Sequence, residues 1–319
     1  MKKLLYLAAL AAMVFSCADD NPPVMVEKTP LITPQLDMLV STAGGFSPLT
    51  GVLTISPCQA NSSVYYGNYV NNILTPLYAY YYVKDGTYYE DSVNRVISLP
   101  AGTYNMVYWG MPVYEDPQYT NPIVREPAYS IGADMKLQKF SLVKMAADTT
   151  YYPAFDMVHA VESATVGTEP LSASLQRVVA GLKVIVKDQD NGVLNSSISG
   201  MTVCVTNIAS ELNFYTGKPQ GNPCSVSFPL QRSVDGTEMS CATVMLFPSY
   251  GKSEFQLYIT LKNGTVKTFK QVLNGPFNAN TKLTLTLTLG DVFSEESTGN
   301  FTVTNWNEFS QTIDISSLN

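Results

Sequence analysis

The chain has 319 residues, with 19 Lys and Arg against 26 Asp and Glu, a formal charge of −7 and a single histidine. That acidic balance, with only 14% charged residues, leaves no basic footprint for nucleic acid. The 45% apolar content supplies one large core or two ordinary ones, and 20 tyrosines with frequent Thr and Val favour strands over helices.

The first residues come before any fold reasoning. Lys2 and Lys3 precede a twelve-residue apolar run, Leu4 to Phe15. A membrane-spanning helix needs about twenty such residues, so this run fits the core of a signal peptide. "VFSC" (14–17) then reads as a lipobox, with Phe15 bulkier than usual. Cleavage before Cys17 makes it a lipidated N-terminus; the plainer alternative is a secretory signal with an incidental cysteine. Residues 1–16 are assigned as signal peptide and 17–30 as a lipidated linker. Losing Lys2 and Lys3 with no acid turns −7 into −9. "DDNPPVMVEKTP" (19–30) is a linker by composition. Its acidic pair after the cysteine resembles the signal that sends Bacteroidota lipoproteins to the outer leaflet.

Strand signals then follow almost without interruption. The best helix candidate is short, Asn61 to Asn72. "LYAYYYVKDGTYYEDSV" (77–93) is a hairpin about Asp85-Gly86, placing Val83 opposite Tyr88 and Tyr82 opposite Tyr89. "VISLPAGTYNMVYWG" (96–110) repeats the pattern about a Pro-Ala-Gly turn. Residues 110–165 are more irregular, and a domain boundary is set at 155. "LSASLQRVVAGLKVIVKD" (171–188) ends in a strand with Leu182, Val184 and Val186 on one face. Two further hairpins turn at Asp235-Gly236 and Asn263-Gly264. "NTKLTLTLTLGD" (280–291) alternates Leu inward with Thr outward. The tail "FSQTIDISSLN" (309–319) alternates too, and either closes its own domain or adds to a neighbour's sheet edge. Many short strands between Gly, Pro, Asn and Asp turns predict an all-β protein of sandwiches, spanning 31–155 and 156–319.

Chemistry-bearing residues are few. His159 in "FDMVHAVES" has no nucleophile elbow to serve and is read as a structural or surface histidine. Cys58, Cys204, Cys224 and Cys241 show no metal spacing. Counting outward from Asp235-Gly236 sets Cys241 opposite Leu230 rather than Cys224, so buried free thiols are expected, although an exported chain permits oxidation. The acid pairs Asp19-Asp20, Glu90-Asp91 and Glu295-Glu296 lie in linkers or turns, and neighbouring acids on a strand face opposite ways. The expectation is no enzyme, no metal and no cofactor. Tyr65, Tyr66, Tyr78, Tyr80 to Tyr82, Tyr88, Tyr89, Trp109, Tyr151, Tyr152 and Trp306 either fill cores or form a sugar-stacking platform.

The hairpin "YYYVKDGTYYEDSV", then "LPAGTYNMVYWG", then "LSASLQRVVAGLKVIV", in this order after a lipobox, resembles the FimB-type fimbrial anchor and tip subunits of Bacteroidales. The late Leu/Thr strand followed by "FTVTNWNEF" fits the family's C-terminal end. The resemblance implies two tandem transthyretin-like β-sandwiches on an outer-membrane lipoprotein at the cell surface, a structural component of a surface fimbria. Its partners would be other fimbrial subunits and the membrane, with host or bacterial surface ligands as further possibilities. Stalk subunits of such pili lose an N-terminal strand after an arginine-directed cut. Here no arginine precedes Arg95, and Lys28 is the only basic residue across 17–83, which favours an anchor or tip role. The alternative is a surface glycan-binding lipoprotein of a polysaccharide-uptake system, which predicts coplanar exposed aromatics at one rim.

Overall fold

The computed structural model describes residues 29–289, except 43–44, 90–92, 114–118, 147, 168 and 189, and the backbone of 309–315. The signal run, Cys17, the linker up to Lys28, Trp306 and the three acid pairs lie outside these residues.

The first sheet is built from β1 (Leu36–Thr42), β2 (Gly51–Gln59), β3 (Ala79–Lys84), β4 (Gly102–Pro112), β5 (Val158–Val166) and β6 (Leu171–Arg177). Their order is β1-β6-β5-β4-β2-β3, with Gly45–Pro48 and Thr87–Tyr88 at the two ends. The β1–β6 ladder is parallel, with Leu171 opposite Leu36, and the others are antiparallel. Alternate residues face a common core: Leu36, Met38 and Val40 from β1, Leu53 and Ile55 from β2, Leu171, Ala173 and Leu175 from β6. The expected hairpin forms, with Val83 opposite Tyr88. Asp85 and Gly86 take φ of 50° and 84°, the left-handed pair of a tight hairpin turn. That turn then docks on the opposite edge. The Met38 N–H donates to Gly86 O (3.1 Å), and the Gly86 N–H donates to Leu49 O (2.8 Å). The sheet is thereby rolled up, its two ends in contact.

β4 is buried on both faces, as its nearly unbroken apolar sequence requires. Tyr104, Met106 and Tyr108 enter the first core, whereas Val107 and Trp109 belong to a second and larger one.

That second core lies in the sheet of β7 (Ala180–Asp188), β8 (Ile198–Asn213), β9 (Pro219–Arg232), β10 (Lys252–Leu261), β11 (Val266–Pro276), β12 (Lys282–Leu289) and β13 (Phe309–Ile315). β8 pairs with β9 and with β10, and β10 with β11. β7 lies parallel to β12, and β12 parallel to β13. Leu182, Val184 and Val186 are fully buried, and Leu283, Leu285, Leu287 and Leu289 alternate with half-buried threonines, both as expected. Gln231 lies opposite Ser240, the register that counting from Asp235-Gly236 gives, so Cys241 and Cys224 are far out of step. The tail forms a strand against its own chain, with Phe309 opposite Leu283.

The chain interleaves the two sheets. Val124–Arg125 pairs with Lys139–Leu142, which in turn pairs with β8. The division read at 155 falls ahead of β5 and β6, whose ladders run in the first sheet.

Two expectations are corrected. Residues 61–72 are not helical: a turn leads to a short hairpin, Asn68–Val70 with Ile73–Thr75, because Asn61, Asn71 and Asn72 adopt left-handed backbone, which asparagine tolerates. The helical content of the described residues is one three-residue turn, Met135–Leu137. Nor does the Pro-Ala-Gly turn make a hairpin. Both edges of β4 are taken by β2 and β5, so Leu99–Pro100 pairs instead with Leu31–Ile32.

Candidate functional site

Trp109 on β4 lies directly opposite His159 on β5, so both project from the same face of the first sheet. That face meets the β8–β9 turn. The Trp109 Nε1–H donates to Phe214 O (2.9 Å), and the Trp109 ring lies 4.5 Å from the His159 ring, 4.6 Å from Phe140 and 5.7 Å from Phe214. Gly217 closes over the histidine. Its φ is +66°, and a Cβ there would come within 2.8 Å of His159 Nδ1.

His159 is a buried part of this junction, as the structural reading of the sequence holds. Burial pushes its pKa down to about 4, against partial support from the backbone of Tyr215 and Phe214. Its Nε2 has no hydrogen-bond partner. A neutral ring without a polar neighbour at that nitrogen orients no nucleophile. Beside it runs a charged pair the sequence reading missed. Arg177 donates through Nε and Nη2 to the two carboxylate oxygens of Asp156, at 2.7 and 2.8 Å, and both side chains are buried. Arg177 also donates from Nη1 to Ser41 O (3.3 Å), tying β6 to β1.

Cys58, Cys204 and Cys241 are buried free thiols and Cys224 is a half-buried one. Burial raises Cys58 and Cys224 to about 12 and Cys241 to about 11, so none offers a thiolate at neutral pH. Among the described residues no group of His, Cys, Asp and Glu is placed to hold a metal ion.

The aromatics divide by alternation. Tyr65, Tyr81 and Trp109 are core residues, while Tyr82 and Tyr89 are exposed. Tyr80 and Tyr82 stand edge to face at 85°, which is not the coplanar array a sugar platform needs. A separate aromatic group surrounds a cavity of about 40 Å³ between β2, β4 and the segment 124–129, with Trp109, Phe140 and Phe214 at its floor.

The model of the fimbrillin-A associated anchor proteins Mfa1 and Mfa2 matches residues 30–312. The chain belongs to that family. It is a structural component of a fimbria, as the order of its hairpins and its Leu/Thr strand suggested. Among solved structures, a candidate adhesin from Bacteroides ovatus shares the fold at 8% identity and a TM-score of 0.50, over 76% of this chain and 78% of that one. The fimbrial anchor protein Mfa2 from Porphyromonas gingivalis is 14% identical over 74% of this chain and 79% of its own, with a TM-score of 0.45. A candidate cell adhesion protein from Bacteroides uniformis is 14% identical over 81% and 93%, with a TM-score of 0.47. No curated protein matches the chain.

In the first sheet the Asp85-Gly86 turn reaches across the two ends, where Gly86 hydrogen-bonds with Met38 and Leu49. In the second sheet, among the described residues, β11 pairs on one side only, with β10. Val266 and Val272 are exposed along it, with Lys270 exposed between them. No helix among the described residues is long and apolar enough to cross a membrane.

Proposed function

We propose that the protein is the membrane-bound anchor of a surface fimbria. Cys17 carries the lipid, residues 17–30 form a tether, and the two sheets hold neighbouring fimbrial subunits. The observation that carries this reading is the cysteine itself, set after a twelve-residue apolar run in a chain of an anchor family. Stable attachment takes more than one acyl chain, which a triacylated bacterial terminus supplies. The role is structural, as that of a family of fimbrial anchor proteins.

Arg95 supports an anchor over a stalk unit. Its backbone exchanges hydrogen bonds with Tyr80, at 2.8 and 2.9 Å, and its guanidinium lies 5.1 Å from the Tyr78 ring. A cut there would remove β1, β2 and β3 and destroy the first core. Mass mapping of the surface form is expected to place its start at an acylated Cys17, blocked to stepwise sequencing; a free new terminus between about 25 and 60, where exposed linker invites cleavage, contradicts the anchor role. Cys17→Ser is expected to abolish palmitate labelling and to release the protein from the outer-membrane fraction. Unchanged labelling and retention would refute the lipid anchor.

A further inference from the structure

We propose that the aromatic cavity at the junction of the two sheets binds the side-chain ammonium of a lysine presented by a partner protein. The juxtaposition is a floor and wall of six aromatic rings, Tyr78, Trp109, Tyr129, Phe140, Phe155 and Phe214, with one charged residue, Glu126, in the lining. Aromatic faces attract cations, and a carboxylate beside them adds charge of the complementary sign.

The rings are fixed in place before any ligand arrives. Tyr129 shares a 2.8 Å hydrogen bond with Ser56, and Trp109 is held by Phe214 O. Tyr129 lies 5.3 Å from Phe214 and 6.1 Å from Tyr78, so the aromatic surface is continuous from floor to mouth. Glu126 is exposed, and its Oε2 accepts from Tyr78 Oη at 3.4 Å, which places the carboxylate beside one of the lining rings. Cation chemistry is already in use on this surface, because Arg95 stacks on the Tyr78 ring. Arg95 is not part of the lining.

Size selects the cation. About 40 Å³ admits a group close to the size of a water molecule, such as a terminal methylene with its ammonium. A trimethylammonium group is too large. A neutral alkyl chain would fit the rings but leave Glu126 without a counter-charge. Arginine's planar guanidinium is wider than lysine's point charge. The identity of the partner as a fimbrial subunit rests on the proposed function; the preference for lysine does not, and the assay contains no fimbria.

The test uses the full mature chain carrying Trp306→Phe, which leaves Trp109 as the one tryptophan. Nα-acetyl-lysine methylamide, the norleucine analogue and choline are titrated while Trp109 fluorescence is followed. Saturation-transfer NMR repeats the titration on the unmodified chain. The lysine amide is expected to bind saturably and roughly fivefold more tightly than the norleucine amide. Glu126→Gln, at an exposed position that leaves folding intact, is expected to erase that difference and leave norleucine binding unchanged. No saturable response to the lysine amide overturns the proposal. So does equal binding of norleucine in the unmodified chain, which would make the cavity merely apolar. Tighter binding of choline overturns the assignment to lysine.

Discussion

The two sheets solve the edge problem differently. In the first, a two-residue turn reaches across the ends, and Gly86 pairs its own N–H and carbonyl with Leu49 and Met38. In the second, β11 is paired on one side only, with Lys270 exposed along it and Lys267 half-buried. Open edges invite pairing with other chains, and charged residues along them discourage the unselective kind. A turn docked across a sheet's ends ties them to each other, whereas a one-sided strand has a use for a neighbour.

The comparison breaks most severely at Asp156. Its pair with Arg177 is buried and bidentate, and Arg177 in turn holds Ser41 on β1. Removing Asp156 takes a bidentate carboxylate from a buried guanidinium, and breaking such a buried pair costs about 3–5 kcal/mol. Asp156→Ala is expected to lower the urea midpoint accordingly. Hydrogen exchange should lose protection in β1 and β6 while β8 and β10 keep theirs. Equal loss in both sheets would mean that the units unfold as one.

Acid acts on the contact between the units. His159 has a folded pKa of about 4, below the ordinary 6.5. Between these values the unfolded chain binds a proton that the folded chain refuses, so stability rises with pH and is lost as pH falls from about 6.5 to about 4. The full shift corresponds to about 3 kcal/mol. Unfolding measured at pH 7 and pH 5 is expected to show part of this loss, and His159→Gln is expected to flatten the slope. An unchanged slope in the variant would place the acid sensitivity elsewhere.

Deleting residues 308–319 sharpens the contrast from the other side. β13 supplies the outer partner of β12, so its loss moves the open edge to the Leu-rich β12. The deletion removes the seven-residue ladder that covers the outer side of β12. The truncated chain is expected to melt earlier and to self-associate in sedimentation velocity. A chain that stays monomeric and equally stable would show β13 to be dispensable to its own sheet.

How much of this was legible depended on range. Hairpins turn on adjacent residues, so Asp85-Gly86 and Asp235-Gly236 were readable with their registers and Asn263-Gly264 as a turn, although its strands pair Thr260 with Val266, one residue from a two-residue turn, and alternation exposed the faces of β7 and β12. Parallel partners were not: nothing local joins Leu36 to Leu171, or Leu182 to Leu283. The Pro-Ala-Gly turn misled because β4 had both edges occupied by distant strands. Asn61 to Asn72 misled because left-handed asparagines leave no helical or strand period. Of the junction, Trp109 and His159 were noticed singly, but their direct opposition depends on a register spanning fifty residues. Glu126, Tyr129 and Asp156 sit in an irregular stretch with no motif. The one available clue was "NMVYWG", whose lack of alternation marks a strand buried on both faces.

The smallest expected effect tests the seam of the first sheet. Gly86 has φ of +84°, and a Cβ there would lie 3.2 Å from Met38 O, the carbonyl of the residue whose N–H it accepts. Gly86→Ala therefore meets both left-handed strain and a backbone atom that cannot easily yield. The strain alone is about 1 kcal/mol. If the seam closes the sheet, the penalty will appear locally: the Met38 and Gly86 amides should exchange faster, while β5 and β6 remain protected. A second consequence separates closure from mere turn chemistry. Asn at position 86 tolerates left-handed backbone almost as well as glycine but carries the same Cβ. Gly86→Asn should thus keep the hairpin register of Val83 and Tyr88 yet still loosen the contact to Met38. If Gly86→Asn leaves both amides protected, the docking contact yields without cost and the first sheet is no better closed than the second.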